Sequence, residues 1–378
     1  MSMAAQQGWT ILGSAARFRA PPRGMLFGPL IKPPIVEAKL PEAEGRAVRE
    51  RLEPVITGLD RTRQSWLDAS ERQLRLAIAG AAVAGLMLGW LFMGSLPIGL
   101  ALMAGGALFA FLILAPKADE VARAHTKHAI VDVMADELLD LSSVALEARE
   151  RAFSRDVIDR WHLLPPARAI DVDDLLEGER DGLRVSLSRV GFQFGGSSNV
   201  ELKQGDGLVF VVTEVARKDR GTQADDGLAV VVGTDAPAML RSAPSMTHGL
   251  STVSSGDDDF DARYACFGDA APLTAELRAG FAAIEAVTRC DVTGTKEVPA
   301  GEGLRPAVIL RPGWLVVLTP VPVFDGVLEP PPFWEPLRVE DLLGRFASDL
   351  EVFDGYLTAT MALWRAIDDH PTQRGITG

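Results

Sequence analysis

The stretch that decides the reading is Leu76–Ala115, LAIAGAAVAGLMLGWLFMGSLPIGLALMAGGALFAFLILA, forty residues with no Asp, Glu, Lys, Arg or His. Gly94 and Pro97 punctuate it near the middle, and proline suits the first turn of a helix. The pattern predicts two transmembrane helices, 76–93 and 98–115, joined by a tight turn. Each is roughly 18 residues long, close to the ~20 that cross a ~30 Å hydrocarbon core. A single forty-residue buried helix would have to ignore the turn.

The flanks set an orientation. Arg61, Arg63, Arg72 and Arg75 precede the stretch, Lys117, Arg123 and Lys127 follow it, and the turn is uncharged. Lysine and arginine at span ends stay on the cytoplasmic side. The sequence therefore predicts a multi-pass protein of a bacterial inner membrane, with both termini cytoplasmic and the lipid bilayer as its first partner. No signal peptide is expected, because the apolar run starts too far along the chain.

Ala77, Ala81, Gly85 and Gly89 recur every four residues, and small residues at that spacing let helix backbones approach closely. The stripe fits packing within one hairpin. It also fits a homo-oligomer through Ala81, Gly85 and Gly89, which would permit an oligomeric pore.

Outside the stretch the chain divides by composition. Residues 1–40 are a Pro-, Gly- and Arg-rich basic tail, expected to be mobile. Residues 41–75 form a juxtamembrane helix with apolar positions Val48, Leu52, Val55, Ile56 and Leu59, interrupted by Pro54. Residues 116–164 read as a helical stalk. One helix is expected over Asp119–Trp161, with a stripe of Ile130, Val133, Met134, Leu138, Leu141 and Ala145. His125 and His128 lie one turn apart on it, too few ligands for a metal site.

Residues 165–378 form the second half. Residues 160–378 hold 20 Lys and Arg against 33 Asp and Glu, while the first 159 hold 18 of each. The net charge of −13 thus sits in the second half. An acidic field argues against nucleic acid as a partner. The two cysteines, Cys266 and Cys290, read as buried thiols of a reducing compartment.

After Pro165–Pro166 the sequence suggests a short acidic helical turn at Asp171–Gly178, then strands. Leu183, Val185 and Leu187 alternate with polar residues. Gly207–Val215, Leu228–Val232, Arg263–Phe267, Ala307–Leu310 and Trp314–Leu318 follow. Pro320 and Pro322 confine the last of these to an edge or an exit. Helices are expected at Leu273–Thr288 and Val339–Ile367. The fold class is thus an α+β cytosolic domain on a helical stalk with a two-helix transmembrane hairpin.

Chemistry is sparse. There is no phosphate loop, dinucleotide fingerprint, nucleophile elbow or zinc-protease helix. The cluster Asp257, Asp258, Asp259, Asp261 lacks the alternate spacing and closing acid of a calcium loop. No cofactor or metal is expected. The candidate interaction or ligand site is Asp257, Asp258, Asp261, Arg263 and Tyr264. The alternation of a strand turns Tyr264 inward and Arg263 outward, toward a carboxylate such as Asp261.

The segment Asp257-Asp-Asp-Phe-Asp-Ala-Arg-Tyr264 resembles the D-D-x-x-E-A-R-Y motif of an uncharacterised bacterial membrane-protein family, a domain of unknown function. Asp174-Leu-Leu-Glu-Gly178 with Arg184–Val190, and Gly207–Val212 with Arg217–Thr222, resemble two further passages of it. Arg189 stands where that family has Glu, and its L-T-P after A-R-Y is replaced by Ala265-Cys-Phe-Gly-Asp-Ala. The resemblance implies a hairpin and a cytosolic domain, and no activity. The function expected is a membrane-tethered interaction or scaffold module with an unknown protein partner. The alternatives are a membrane-anchored hydrolase near Asp257–Asp261, with His248 as its base, and an oligomeric pore component.

Overall fold

The computed structural model describes residues 42–139, 141, 155–194, 207–217, 227–270, 273–290, 297–321 and 337–368. The basic tail expected at 1–40 lies outside them. The chain forms two compact units, one of residues 1–134 and 328–347, the other of 135–327 and 348–378.

In the first unit, helix α1 spans Glu42–Met93 and is followed by helix α2, Leu96–Leu139. Gly94, at φ +57, makes the turn. Its N–H donates to Trp90 O at 3.2 Å, and Ser95 N–H donates to Gly89 O at 3.3 Å, so two carbonyls at the end of α1 find donors. Val48, Leu52, Ile56 and Leu59 are buried along one side of α1, the seam their spacing predicts. Pro54 sits inside the helix without ending it.

Among the described residues, no helix is long and apolar enough to cross a membrane. That finding overturns the two-helix transmembrane hairpin, the transmembrane class of the protein and the multi-pass inner-membrane placement with cytoplasmic termini. The uncharged stretch does not fold as two short helices of its own. It forms the adjoining ends of two much longer ones, whose remaining turns run through charged sequence from Glu42 and on to Leu139.

The small-residue stripe faces the other arm of the hairpin. A Cβ at Gly85 would come 2.5 Å from the Leu102 carbonyl oxygen, and one at Gly106 would come 3.1 Å from that of Ala81. A Cβ at Gly89 would overlap the backbone of Gly99. Close approach of the two backbones needs glycine at these positions.

The expected stalk helix is found in two described pieces. One is the end of α2; the other is α3, Arg155–Asp159. Ile130 and Met134 are fully buried, Leu141 is nearly so, and Val133 and Leu138 are half-buried. Residues 142–154, with Ala145, lie outside the described ones, as do the side chains of His125 and His128.

The second unit is built on an eight-stranded sheet. Its strands are β1 (Ala167–Arg180), β2 (Leu183–Phe194), β3 (Gly207–Ala216), β4 (Ala229–Gly233), β5 (Thr252–Val253), β6 (Tyr264–Gly268), β7 (Ala307–Arg311) and β8 (Trp314–Pro320). Every pairing is antiparallel, in the order β1-β2-β3-β8-β7-β4-β6-β5. Helices α4 (Ala238–Met246), α5 (Asp258–Arg263) and α6 (Ala275–Glu285) lie between strands, and α7 (Val339–Asp368) ends the described chain. The α+β class expected of this half is the one seen.

The register carries Val212, Val316, Ile309, Val230 and Phe267 across one face, where they join Ile158, Trp161, Leu163 and Leu240 in one core. The other face carries Tyr264 and Cys266, with Phe281 of α6 packed on Tyr264. Helix α7 reaches α6 closely enough that a Cβ at Gly280 would meet the Leu363 side chain at 2.8 Å.

Three local readings change. Arg263, expected to open the strand Arg263–Phe267, is the last residue of helix α5, and β6 starts at Tyr264. Asp171–Gly178 is no helical turn but part of β1, whose Ile170 and Val172 pair with Phe192 and Val190 of β2. A register shift between Asp173 and Leu176 lets the consecutive Leu175 and Leu176 both be buried. Strand β8 is central, between β3 and β7, and Pro320 is tolerated because it is the strand's last residue.

Candidate functional site around Glu285

The acidic segment organises itself through backbone caps. Asp257 caps α5, its carboxylate accepting from Phe260 N–H at 3.0 Å. Asp261 accepts from Ser254 Oγ–H at 2.6 Å and from Ser255 N–H at 3.0 Å. Partial burial pushes the Asp261 carboxyl upward, but these serine donors and the nearby Arg278 charge outweigh it and hold it below its ordinary range. Arg278 donates to the carbonyls of Ser255 and Leu273, both at 2.8 Å, and its Nε lies 3.6 Å from Asp257. Asp258 is exposed. Among the described residues no three acids, histidines or cysteines are grouped to hold a metal ion.

Arg263 and Tyr264 turn away from this loop, to an acid that sequence reasoning missed. Arg263 Nη1 donates to both oxygens of Glu285, at 2.9 and 3.0 Å. Tyr264 O–H donates to the same carboxylate at 2.7 Å. The expected inward Tyr264 is seen, 1% exposed, whereas the partner of Arg263 is Glu285 and not Asp261. Arg305 adds a cation 3.9 Å from Glu285 and donates to Asp235 at 2.9 Å. Gly233 makes room for that pair, since a Cβ there would come 2.5 Å from Arg305 Cβ and 2.6 Å from Asp235 Oδ1.

Beneath the ions lies an aromatic floor. Tyr264 stacks on Phe260 at 4.8 Å and meets Phe281 edge-on at 5.0 Å. Burial, followed by the hydrogen bond to Glu285, pushes the Tyr264 phenol far above its ordinary value, so it is a fixed donor. Burial and the Asp261 charge push the Cys266 thiol up to about 12, which leaves it protonated and unreactive. His248 is not aimed at the acidic loop. Its Nε2 lies 2.9 Å from Leu164 O, and its ring meets His162 at 5.3 Å.

The arrangement is two carboxylates, two guanidiniums and a phenol joined in one charge-balanced chain. It ties α6 to the start of β6 and to the approaches of β4 and β7.

Glu214 is a second acid that the sequence did not flag. It sits in β3 opposite Ser186 and Val316, and accepts from Trp314 Nε1–H at 2.7 Å. Burial raises its carboxyl, against the lowering effects of Trp314 and Arg184. The folded chain therefore holds this proton more tightly than the unfolded chain does. Stability from this group is greatest in acid and falls as pH rises from the ordinary glutamate range toward the raised value. Glu214→Gln keeps an acceptor for Trp314 and has no proton to lose. At pH 7 we expect its Tm about 2–4 °C above wild type, the size of a ~1 kcal/mol gain in a domain this large. The gain shrinks as pH falls toward 4, and calorimetry of both proteins at the two pH values checks the sign.

No protein-family model matches this chain, and no curated protein or solved structure matches it either.

Proposed function

We propose that the protein is an interaction or scaffold module that meets its partner protein through the apolar end of the α1–α2 hairpin. The observation that supports this is exposure. Leu88, Trp90, Leu91, Leu96, Leu108 and Phe109 are each between 52% and 67% exposed. Many large apolar side chains left exposed on one pair of helices are a feature that marks a binding surface. Burying one such side chain contributes roughly 1.5–3 kcal/mol, so a partner covering several gains a large driving force. The Glu285 cluster fits the same reading, because Glu285 accepts from Arg263 and Tyr264 and Arg305 pairs with Asp235, which stiffens the sheet unit, although the buried Asp235 Oδ1 and Arg305 Nε make no hydrogen bond. The family resemblance of the acidic motif brings no activity that would compete with it.

The test compares the wild-type full chain with Leu88→Lys/Leu91→Lys, two exposed positions where lysine leaves the helix intact. Association is read by analytical ultracentrifugation and by crosslinking in cells. Association with itself or with a reproducible partner, lost in the variant at unchanged Tm, supports the module. A wild-type chain that stays monomeric and crosslinks no more than the variant overturns it. So does a monomer whose only binding is to phospholipid vesicles.

A further inference from the structure

We infer that the hairpin docks face to face on a second copy of itself, through the side that carries Leu88 and Leu91 of α1 and Ile98, Leu102 and Phe109 of α2. The inference rests on the reading of the hairpin as an interaction surface, and names its occupant.

The two arms run antiparallel and close together. Gly85 meets Leu102, Gly89 meets Gly99, and Gly106 meets Ala81. These positions face inward, and the helical rotation decides what lies beside them. Ala84 and Leu88 each precede an inward glycine of α1 by one residue, and Ile98 and Gly105 do the same on α2. One residue back is a rotation of about 100°, so each set sits on the flank of its own arm. The rotation has the same sense on both arms. Because the arms point in opposite directions, the two flanks fall on the same broad face of the hairpin. Leu91 continues the first set, and Leu102 and Phe109 complete the second. Leu88, Leu91, Ile98, Leu102 and Phe109 are between 41% and 67% exposed.

The spacing on this face is that of a helix bundle. Ala84, Leu88 and Leu91 are separated by four and three residues, and Ile98, Leu102, Gly105 and Phe109 by four, three and four. Alternating steps of three and four make the seam of a helix that packs lengthwise on other helices. Two such seams side by side are half of a four-helix bundle. The missing half is a second pair of antiparallel helices with apolar seams, which another copy of this chain supplies. The pairing is isologous, so it closes at two copies.

Charge and area favour the same occupant. The chain carries a net charge of −13, but Leu76–Ala115 has no ionisable side chain, so two hairpins meet without like-charge repulsion. About 18 residues of each arm give a face roughly 27 Å long and 20 Å wide. Two such faces bury on the order of 1,000 Å², the size at which a specific interface begins.

The experiment uses the full chain and sedimentation equilibrium over a range of concentrations. We expect a dimer for the wild type. Ile98→Lys/Phe109→Lys should raise the dimer Kd about a hundredfold or more at an unchanged circular dichroism spectrum, since it sets two charges into the apolar seam. Val83→Lys/Trp90→Lys, on the other flank of α1, should leave the dimer as it is. If the first variant does not fold, Ile98→Gln/Phe109→Gln carries the same comparison. A dimer that survives the seam substitutions, or that both pairs of substitutions dissolve equally, overturns the inference, and so does an assembly larger than two copies. A wild-type monomer that captures a different protein overturns it and leaves the interaction module standing. A monomer that binds nothing, or only vesicles of phosphatidylcholine and phosphatidylglycerol, overturns both.

Discussion

Glu285→Ala lowers the stability of the sheet unit by about 2–3 kcal/mol, because it strands the buried Tyr264 hydroxyl and removes the anion beside two guanidiniums. Arg263→Ala is expected to cost only about 1 kcal/mol, since the Arg263 side chain is 42% exposed and water screens its pair with Glu285. The two losses differ because the groups left behind differ. Without Arg263, Glu285 still accepts from Tyr264 at 2.7 Å and still faces Arg305. Without Glu285, the Tyr264 hydroxyl loses its acceptor above an aromatic floor that offers none. Denaturant unfolding followed by circular dichroism measures both variants, and a cycle with Tyr264→Phe isolates the phenol–carboxylate coupling. Equal losses for Glu285→Ala and Arg263→Ala would show that the cluster is an ordinary surface pair. The same cycle bears on the choice between ligand site and structural tie. A structural tie weakens folding whenever Glu285 is removed, whereas a ligand site would leave the unliganded fold intact.

Legibility in the sequence followed the range of the interaction. β4 and β8 are recognisable because AVVVG and WLVVLTP are β-branched runs, buried throughout, bounded by glycine and proline. The α1 seam is recognisable because helical spacing alone brings Val48, Leu52, Ile56 and Leu59 to one side. β1 was obscured by its own chemistry. Three aspartates and the doublet Leu175–Leu176 break the alternation, and only the register shift against β2 restores it. The candidate site was half legible. The inward turn of Tyr264 follows from strand alternation, but its partner Glu285 is 21 residues away and Arg305 lies beyond a further loop. No local pattern encodes which carboxylate a buried phenol meets once the sheet has closed. The hairpin turn at Gly94 was legible from glycine and proline, whereas the extent of α1 and α2 was not. The apolar stretch drew the boundaries inward, although the charged flanks continue the helices on both sides.

In the hairpin the expectation is that Gly89→Leu forces α1 and α2 apart, at a cost of about 2–3 kcal/mol or more. The contact opposite Gly89 is the backbone of Gly99, and backbone cannot move aside as the tip of a side chain can. Gly80 provides the control, because nothing lies within 4 Å of a Cβ built there. Gly80→Ala should therefore stabilise α1 by up to about 1 kcal/mol, the helix-propensity difference alone. Amide hydrogen exchange separates the two outcomes. Opening of the hairpin exposes the facing turns around Gly85–Gly89 and Gly99–Gly106, so exchange there accelerates in Gly89→Leu and not in Gly80→Ala. Unchanged protection in Gly89→Leu would mean that the two helices do not depend on glycine for their approach. The stripe at Ala81, Gly85 and Gly89 would then be free for contacts between chains. If protection does fall, the glycines are consumed within one chain. What remains for a partner is the outward surface of Leu88, Trp90 and Leu91, where leucine and tryptophan side chains, and not bare backbone, would form the interface.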